Sequence, residues 1–310
     1  MGAAPLPPVL VLAGPTGVGK TELALALAEQ SREIEIVSVD SALVYRGMDI
    51  GTAKPSLAQR VAVAHHLIDV RDPTETYSAG DFVRDALAAI EAIHARGRLP
   101  LLVGGTMLYH RALYRGLATL PQAAPALRGE IERRALAIGW PALHAELAVV
   151  DAEAAARIRP RDAQRIQRAL EVFHTSGRRI SDWQRDTHGA QARFAWRRFA
   201  VLPVDRAALR ARLAQRFEVM MAAGFLEEVR SLYARGDLRA DHASMRAVGY
   251  RQLWGHCAGE TTLEEATRRA VVATAQLAKR QLTWLRAESD FVVLPPERAV
   301  ALRRLRDEGL

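Results

Sequence analysis

Gly14-Pro15-Thr16-Gly17-Val18-Gly19-Lys20-Thr21 follows the apolar run Pro8 to Ala13 and precedes the helical pattern Lys20 to Gln30. In that setting G-x4-G-K-T is a phosphate-binding loop. Its glycines let backbone N–H groups converge on phosphate oxygens, and the helix N-terminus adds partial positive charge. Lys20 neutralises, and Thr21 offers a hydroxyl to magnesium. Outward from the loop, short apolar runs of strand length recur at Ile34 to Val39, His66 to Val70, Leu99 to Val103, Phe199 to Val204 and Phe291 to Leu294. Helical patterns separate the first four. Leu23 and Leu27 share a face in the first helix, and Phe82, Leu87, Ile90 and Ile93 turn inward between Gly80 and Arg96. Strand, helix, strand in succession specifies an α/β fold, a parallel sheet flanked by helices.

The alternation stops after about Tyr114. From Gln122 to about Arg193 the pattern is helical with charged faces, and strand signals return at Phe199. This predicts an all-helical insertion domain, residues 119–196, in a phosphate-loop α/β core made of residues 1–118 and 197–310. The insertion is arginine-rich: Asp151 to Ala200 holds eleven arginines against six acids.

The chain has 310 residues, a net charge of +8 and 40 arginines to three lysines: Lys20, Lys54 and Lys279. The arginine excess reads first as composition and second as phosphate recognition. The single cysteine, Cys257, excludes a disulfide framework and a cysteine-built zinc site within one chain, which fits a reducing cytoplasm. No apolar run nears the ~20 residues that span a bilayer, so no membrane partner is expected. Gly2 lacks the Ser or Thr that a myristoylation start needs at the sixth position. Adjacent His65 and His66 point to opposite faces of a strand and read as structural.

A nucleotide-hydrolysing site wants a second acid at a strand end to hold magnesium. Leu101-Leu102-Val103 ends in Gly104-Gly105-Thr106, which supplies none, and Asp69 reads as a cap or turn residue. Asp40 ends Ile36 to Val39 and so emerges at the carboxyl edge of the sheet beside the phosphate loop. From position alone it serves as a magnesium ligand, a hydroxyl acceptor, a base or a helix cap.

The residues after it reassign the loop. Asp40-Ser41-Ala42-Leu43-Val44-Tyr45-Arg46-Gly47-Met48-Asp49-Ile50-Gly51-Thr52-Ala53-Lys54-Pro55 resembles the tRNA dimethylallyltransferases, also called tRNA isopentenyltransferases. So do Val103 to Tyr109, Arg159 to Val172 with Thr175-Ser176-Gly177, Arg216-Phe217 through Met221 and Gly224, Arg246 to Arg251, and Lys279 to Arg286. These segments run in order through most of the chain. The resemblance implies transfer of a dimethylallyl group from dimethylallyl diphosphate to the exocyclic amine of the adenosine 3′ of the anticodon, with diphosphate released. Gly14, Pro15, Thr16, Gly17, Val18, Gly19, Lys20 and Thr21 then hold a leaving diphosphate with Mg2+ at Thr21. Asp40 is the candidate base, while Thr106 and Arg216 are the other candidate catalytic residues.

On the RNA side the resemblance implicates Asp40, Ser41, Ala42, Leu43, Thr106, Arg128, Gln164-Arg165-Ile166-Gln167-Arg168, Arg246-Ala247-Val248-Gly249-Tyr250-Arg251 and Lys279-Arg280-Gln281-Leu282-Thr283-Trp284-Leu285-Arg286. Guanidiniums beside flexible amides suit splayed loop bases and their phosphates. The expected partners are the tRNA anticodon stem-loop and dimethylallyl diphosphate, and the expected state is a cytoplasmic monomer. Two rivals remain at this point: a phosphate-loop kinase using ATP, with Asp40 activating an acceptor hydroxyl, and a non-catalytic RNA-binding protein that kept the loop.

Overall fold

A computed structural model describes residues 5–31, 33–118, 120–121, 125–187 and 189–308. Six strands form one parallel sheet: β1 Pro8–Ala13, β2 Ile34–Val39, β3 His65–His66, β4 Leu99–Gly104, β5 Ala195–Val201 and β6 Val292–Leu294, in spatial order β3-β2-β4-β1-β5-β6. The central strands are nearly all buried, β2 over its whole length. That burial on both faces is why they read as unbroken apolar runs. Helices α1 Lys20–Gln30, α2 Leu57–Ala62, α3 Ala79–Ala95 and α4 Met107–Arg115 fall between and after the first four strands. Leu10, Leu12, Leu23, Leu27, Ile36, Leu101 and Phe199 meet in the core on the α1 face. In α3 the inward positions are Phe82, Ala86, Ile90 and Ile93, with Ala86 where the sequence suggested Leu87.

Two strands differ from expectation. Of the run His66 to Val70 only His66 belongs to a strand, the two-residue β3, because Leu67 and Asp69 take left-handed φ values of 63° and 57°, which no strand accommodates. Asp69 is a turn residue, pinned there by Lys54 at 2.5 Å and Arg60 at 2.6 Å. The strand expected at Phe199 begins earlier, at Ala195, since its register with β1 starts at Pro8↔Ala195, and it stops at Val201, two residues before Pro203. His66 pairs with the buried Glu35 at 2.7 Å and His65 bonds the Val63 carbonyl. Among the described residues no group of three His, Cys, Asp or Glu could hold a metal ion. None of the described helices is long and apolar enough to cross a membrane.

The chain divides into two compact units, residues 1–113 with 191–310 and residues 114–190. After β5 the first unit continues with α10 Arg206–Ala222, α11 Phe225–Ala234, α12 Tyr250–Cys257, α13 Leu263–Ala287 and α14 Arg298–Asp307. The second unit is helical: α5 Pro125–Ile138, α6 Trp140–Val150, α7 Ala152–Arg157, α8 Ala163–Ser176 and α9 Ile180–Arg185. Its core is its own, built from Ile131, Leu143, Leu147, Ile166, Ala169, Leu170, Val172 and Ile180. The sequence boundary at 196 falls inside β5, and Gln122, where the helical stretch was expected to start, lies outside the described residues.

Candidate active site

Because β1, β2 and β4 run parallel, the loops that follow them open at one edge of the sheet. A cavity of about 610 Å³ lies there, within the first unit. Thr16 of the phosphate loop, Asp40 after β2 and Thr106 after β4 all line it, as do Arg216, Arg246 and Arg280. Gly104 allows β4 to end tightly against β2, since a Cβ there would sit 2.0 Å from the Val39 carbonyl oxygen.

In the phosphate loop Gly17 and Gly19 have φ values of 75° and 99°, the left-handed region that turns successive N–H groups toward one centre. Gly14, Pro15 and Val18 are buried, whereas Thr21 is exposed at the start of α1. Lys20 Nζ donates to the Pro15 carbonyl at 2.7 Å. Burial pushes its ammonium down to about 8, with the charge of Asp40 opposing that shift and Arg216 reinforcing it. Arg216 is half-buried, burial lowers its pKa as well, and among the described residues it has no ion-pair or hydrogen-bond partner. A half-buried guanidinium without a partner among the described residues, beside a second depressed cation, suits an anionic ligand.

Asp40 Oδ1 accepts the Ala42 N–H at 2.8 Å and the Leu43 N–H at 3.3 Å. These bonds fix the carboxylate and leave Oδ2 for other chemistry. It is the only carboxylate among the described residues that line the cavity. Thr106 Oγ1 accepts the Ser41 N–H at 3.1 Å, which ties the segment after β4 to the one after β2. The opposite wall is apolar: Leu213, Phe217 and Met220 of α10, with Phe225 and Trp284.

The RNA-side residues separate into groups. Ser41, Ala42, Arg246, Ala247, Val248, Tyr250, Arg280, Gln281 and Trp284 line the cavity with Asp40 and Thr106. Gly249 packs at φ 91° against Phe225, and Leu43 contributes its N–H to Asp40. Lys279, Thr283, Arg251 and Arg286 are exposed, while the side chains of Leu282 and Leu285 are in the core. Gln281 is buried too, for a reason the sequence did not disclose: Oε1 accepts the Thr16 N–H at 2.8 Å and Nε2 donates to the Gly105 carbonyl at 2.8 Å.

In the helical unit Ile166 is fully buried and Gln164 exposed. Arg128 Nε meets the buried Glu171 at 2.9 Å, and Arg168 meets it at 3.5 Å. Arg165 pairs with Asp162, and Gln167 donates to Glu132 at 3.0 Å. The arginine surplus is therefore largely engaged. Of the eleven from Asp151 to Ala200, only the guanidiniums of Arg159 and Arg161 have no ion pair among the described residues.

Sequence reasoning missed Glu228 of α11. Its carboxylate accepts the N–H groups of Asp49 at 2.9 Å, Ile50 at 2.7 Å and Gly51 at 3.2 Å, and the Tyr250 hydroxyl at 2.5 Å. It thereby moors the segment that carries Gly51 and Thr52 into the cavity wall. Lys54, of the same segment, is spent on Asp49 and Asp69, each at 2.5 Å, with its side chain 2% exposed. It is a structural cation and does not touch the cavity.

The family model described as IPP transferase matches residues 43–288. The chain is 57% identical over 290 residues to the tRNA dimethylallyltransferase of Methylococcus capsulatus, covering 94% of this chain and 93% of that one. It is 55% identical to the tRNA dimethylallyltransferase of Bordetella pertussis, with 92% of each chain covered. The crystal structure of a tRNA isopentenylpyrophosphate transferase from Bacillus halodurans superposes with a TM-score of 0.70 at 34% identity, over 97% of this chain and 95% of that one. A eukaryotic dimethylallyltransferase captured acting on tRNA gives a TM-score of 0.79 at 26% identity, over 96% of this chain and 77% of that one.

Proposed function

This chain belongs to the IPP transferase family, and we propose on that premise how it acts on tRNA. It transfers a dimethylallyl group to tRNA. The donor is dimethylallyl diphosphate and the acceptor is the exocyclic amine of the adenosine 3′ of the anticodon. The observation that carries this reading is one cavity that joins the phosphate loop to one carboxylate, Asp40, across Arg216, which has no ion-pair partner among the described residues. A kinase reading lacks the second acid that would organise a nucleotide-bound metal, and a binding-only reading leaves the loop and the two depressed cations without purpose.

An aromatic exocyclic amine is a weak nucleophile. As its nitrogen bonds to the allylic carbon, the carbon–oxygen bond breaks, its electron pair leaves on diphosphate, and the amine proton passes to Asp40 Oδ2. Lys20 and Arg216 stabilise the charge that accumulates on the leaving oxygens. The Thr106 hydroxyl, held by Ser41, orients the acceptor base. Leu213, Phe217 and Met220 cover the allyl chain and keep water from it. Thr21 is the chain's candidate ligand to magnesium: one neutral hydroxyl with substrate oxygens and waters suits an ion that keeps much of its hydration. When bound, that ion neutralises diphosphate charge. On the RNA side, Arg246, Arg280 and Trp284 in the cavity and Gln164, Arg165 and Arg168 of α8 are the proposed contacts. The proposed state is a monomer and the proposed compartment is the cytoplasm.

Single-turnover transfer of labelled dimethylallyl to an anticodon stem-loop tests the reading. Asp40→Asn keeps the bonds to the Ala42 and Leu43 amides yet cannot take a proton, so the rate should fall about 10²- to 10⁴-fold with RNA binding intact. A near wild-type rate in that variant removes Asp40 as base. Thermal protection by ATP and none by dimethylallyl diphosphate would favour the kinase.

A further inference from the structure

Gln281 lies on α13 between two kinds of neighbour. Arg280 and Trp284 line the cavity, as Gln281 itself does, and Ala278, Leu282 and Leu285 pack inward. Its own side chain is 9% exposed and both ends of the amide are used across long sequence distances. Oε1 holds the third residue of the phosphate loop through the Thr16 N–H, and Nε2 holds the peptide before Thr106 through the Gly105 carbonyl. The fit is close: a Cβ on Gly105 would stand 2.6 Å from Gln281 Nε2 and 3.0 Å from the Gly14 carbonyl oxygen. One primary amide thus spans the loop after β1 and the loop after β4.

We infer that Gln281 is a positioning residue that sets the distance between the phosphate loop, which holds the leaving group, and the Thr106 segment, which presents the acceptor. Three features of the amide support this. Only a group carrying both an acceptor and a donor can meet an N–H and a carbonyl at once. The Thr16 N–H, engaged by Gln281, is withheld from phosphate, so the amide shapes the loop by holding its backbone. The Thr106 hydroxyl in turn receives the Ser41 N–H, which carries the alignment to the residue after Asp40. The chain of contacts Thr16, Gln281, Gly105, Thr106, Ser41 therefore runs from the leaving-group site to the base. A bimolecular displacement needs its partners at near-attack separation, and a misplacement of about 1 Å costs about 100-fold in rate.

The inference rests on the transfer reading above, and the test separates the two. Gln281→Met keeps the volume and removes both hydrogen bonds. The single-turnover rate constant at saturating substrates should fall about 100-fold, with Kd for diphosphate and for the stem-loop within about threefold of wild type. Gln281→Glu still accepts from Thr16 and regains a donor for Gly105 only when its carboxyl is protonated. Its rate relative to wild type should rise as pH falls, a recovery that loss of mere packing does not produce. Transfer by Gln281→Met within about threefold of wild type overturns the inference, as does a loss of rate matched by an equal loss of diphosphate or RNA affinity. If Gln281→Met does not fold, the pH recovery of Gln281→Glu decides: a constant ratio to wild type across pH overturns it. Absence of transfer by the wild-type chain itself would instead overturn the transfer reading.

Discussion

Lys20 gives the sharpest prediction, because an empty loop and a filled one should hold its proton differently. Burial lowers the free-state pKa to about 8. A bound diphosphate adds opposite charge and returns it toward the ordinary ~10.4. The sign follows: below about pH 8 the ammonium is already charged and binding takes up no proton, while above it binding must pull a proton from solvent. Between about pH 7 and about pH 9.5 the apparent affinity should drop roughly 30-fold, or roughly 2 kcal/mol. Dimethylallyl diphosphate without RNA is the suitable ligand, since its last phosphate ionisation, near pH ~6, is complete over most of this range. Titration calorimetry in two buffers of different ionisation enthalpy reads the proton uptake directly, about half a proton at pH 8 and near one at about pH 9. Lys20→Arg should flatten the profile, a guanidinium staying charged throughout. A flat wild-type profile with no proton uptake would show that Lys20 does not face the ligand, or that its burial is relieved by the phosphate-free loop.

Arg216→Gln should slow single-turnover transfer about 10²- to 10³-fold, the loss of one preorganised donor at a developing anion, and leave stem-loop binding nearly unchanged. Glu228→Ala strands the amides of Asp49, Ile50 and Gly51 and the Tyr250 hydroxyl, so denaturant unfolding should register a loss of about 2–4 kcal/mol. Hydrogen exchange should quicken at those three amides in the same variant; unchanged protection would mean another group moors the segment. Gly104→Ala drives a methyl into the Val39 carbonyl and should cost more than about 4 kcal/mol, seen as loss of soluble folded protein.

How much of this was written locally in the chain follows from the range of the interactions. Buried parallel strands announce themselves as apolar runs, and the loop motif is contiguous from Gly14 to Thr21, so the sheet and the turn of that loop were legible. The place of Asp40 was legible because a strand end fixes it, while its role as base came only from the resemblance carried by the residues after it. β3 was overestimated because the left-handed turns at Leu67 and Asp69 depend on Lys54 and Arg60, residues outside that run. Gln281 sat in a cation-rich helical segment that pointed to RNA, but helical pattern cannot say that one amide would reach Thr16 at the other end of the chain. Glu228 carries no motif at all, and three amides converge on it only once α11 packs. The arginine surplus between Asp151 and Ala200 overstated the charge open to RNA, since most of its guanidiniums find carboxylates in the fold.

The register of β1 with β5 bears on how the molecule is made. β1 is near the N-terminus and is central in the sheet, with β4 on one side and β5, which leaves the ribosome only after residues 114–190, on the other. At about 5–20 residues per second of synthesis, the apolar edge Val9, Val11 and Ala13 waits about 10 to 40 s for Trp196, Arg198 and Ala200. An unpaired edge of that kind invites pairing with other chains. The helical unit, with local contacts and a core of its own, can fold during the wait and take its exposed leucines and isoleucines out of circulation. Early synthesis is thus the most aggregation-exposed stage of this chain, and the interval ends when β5 closes the sheet.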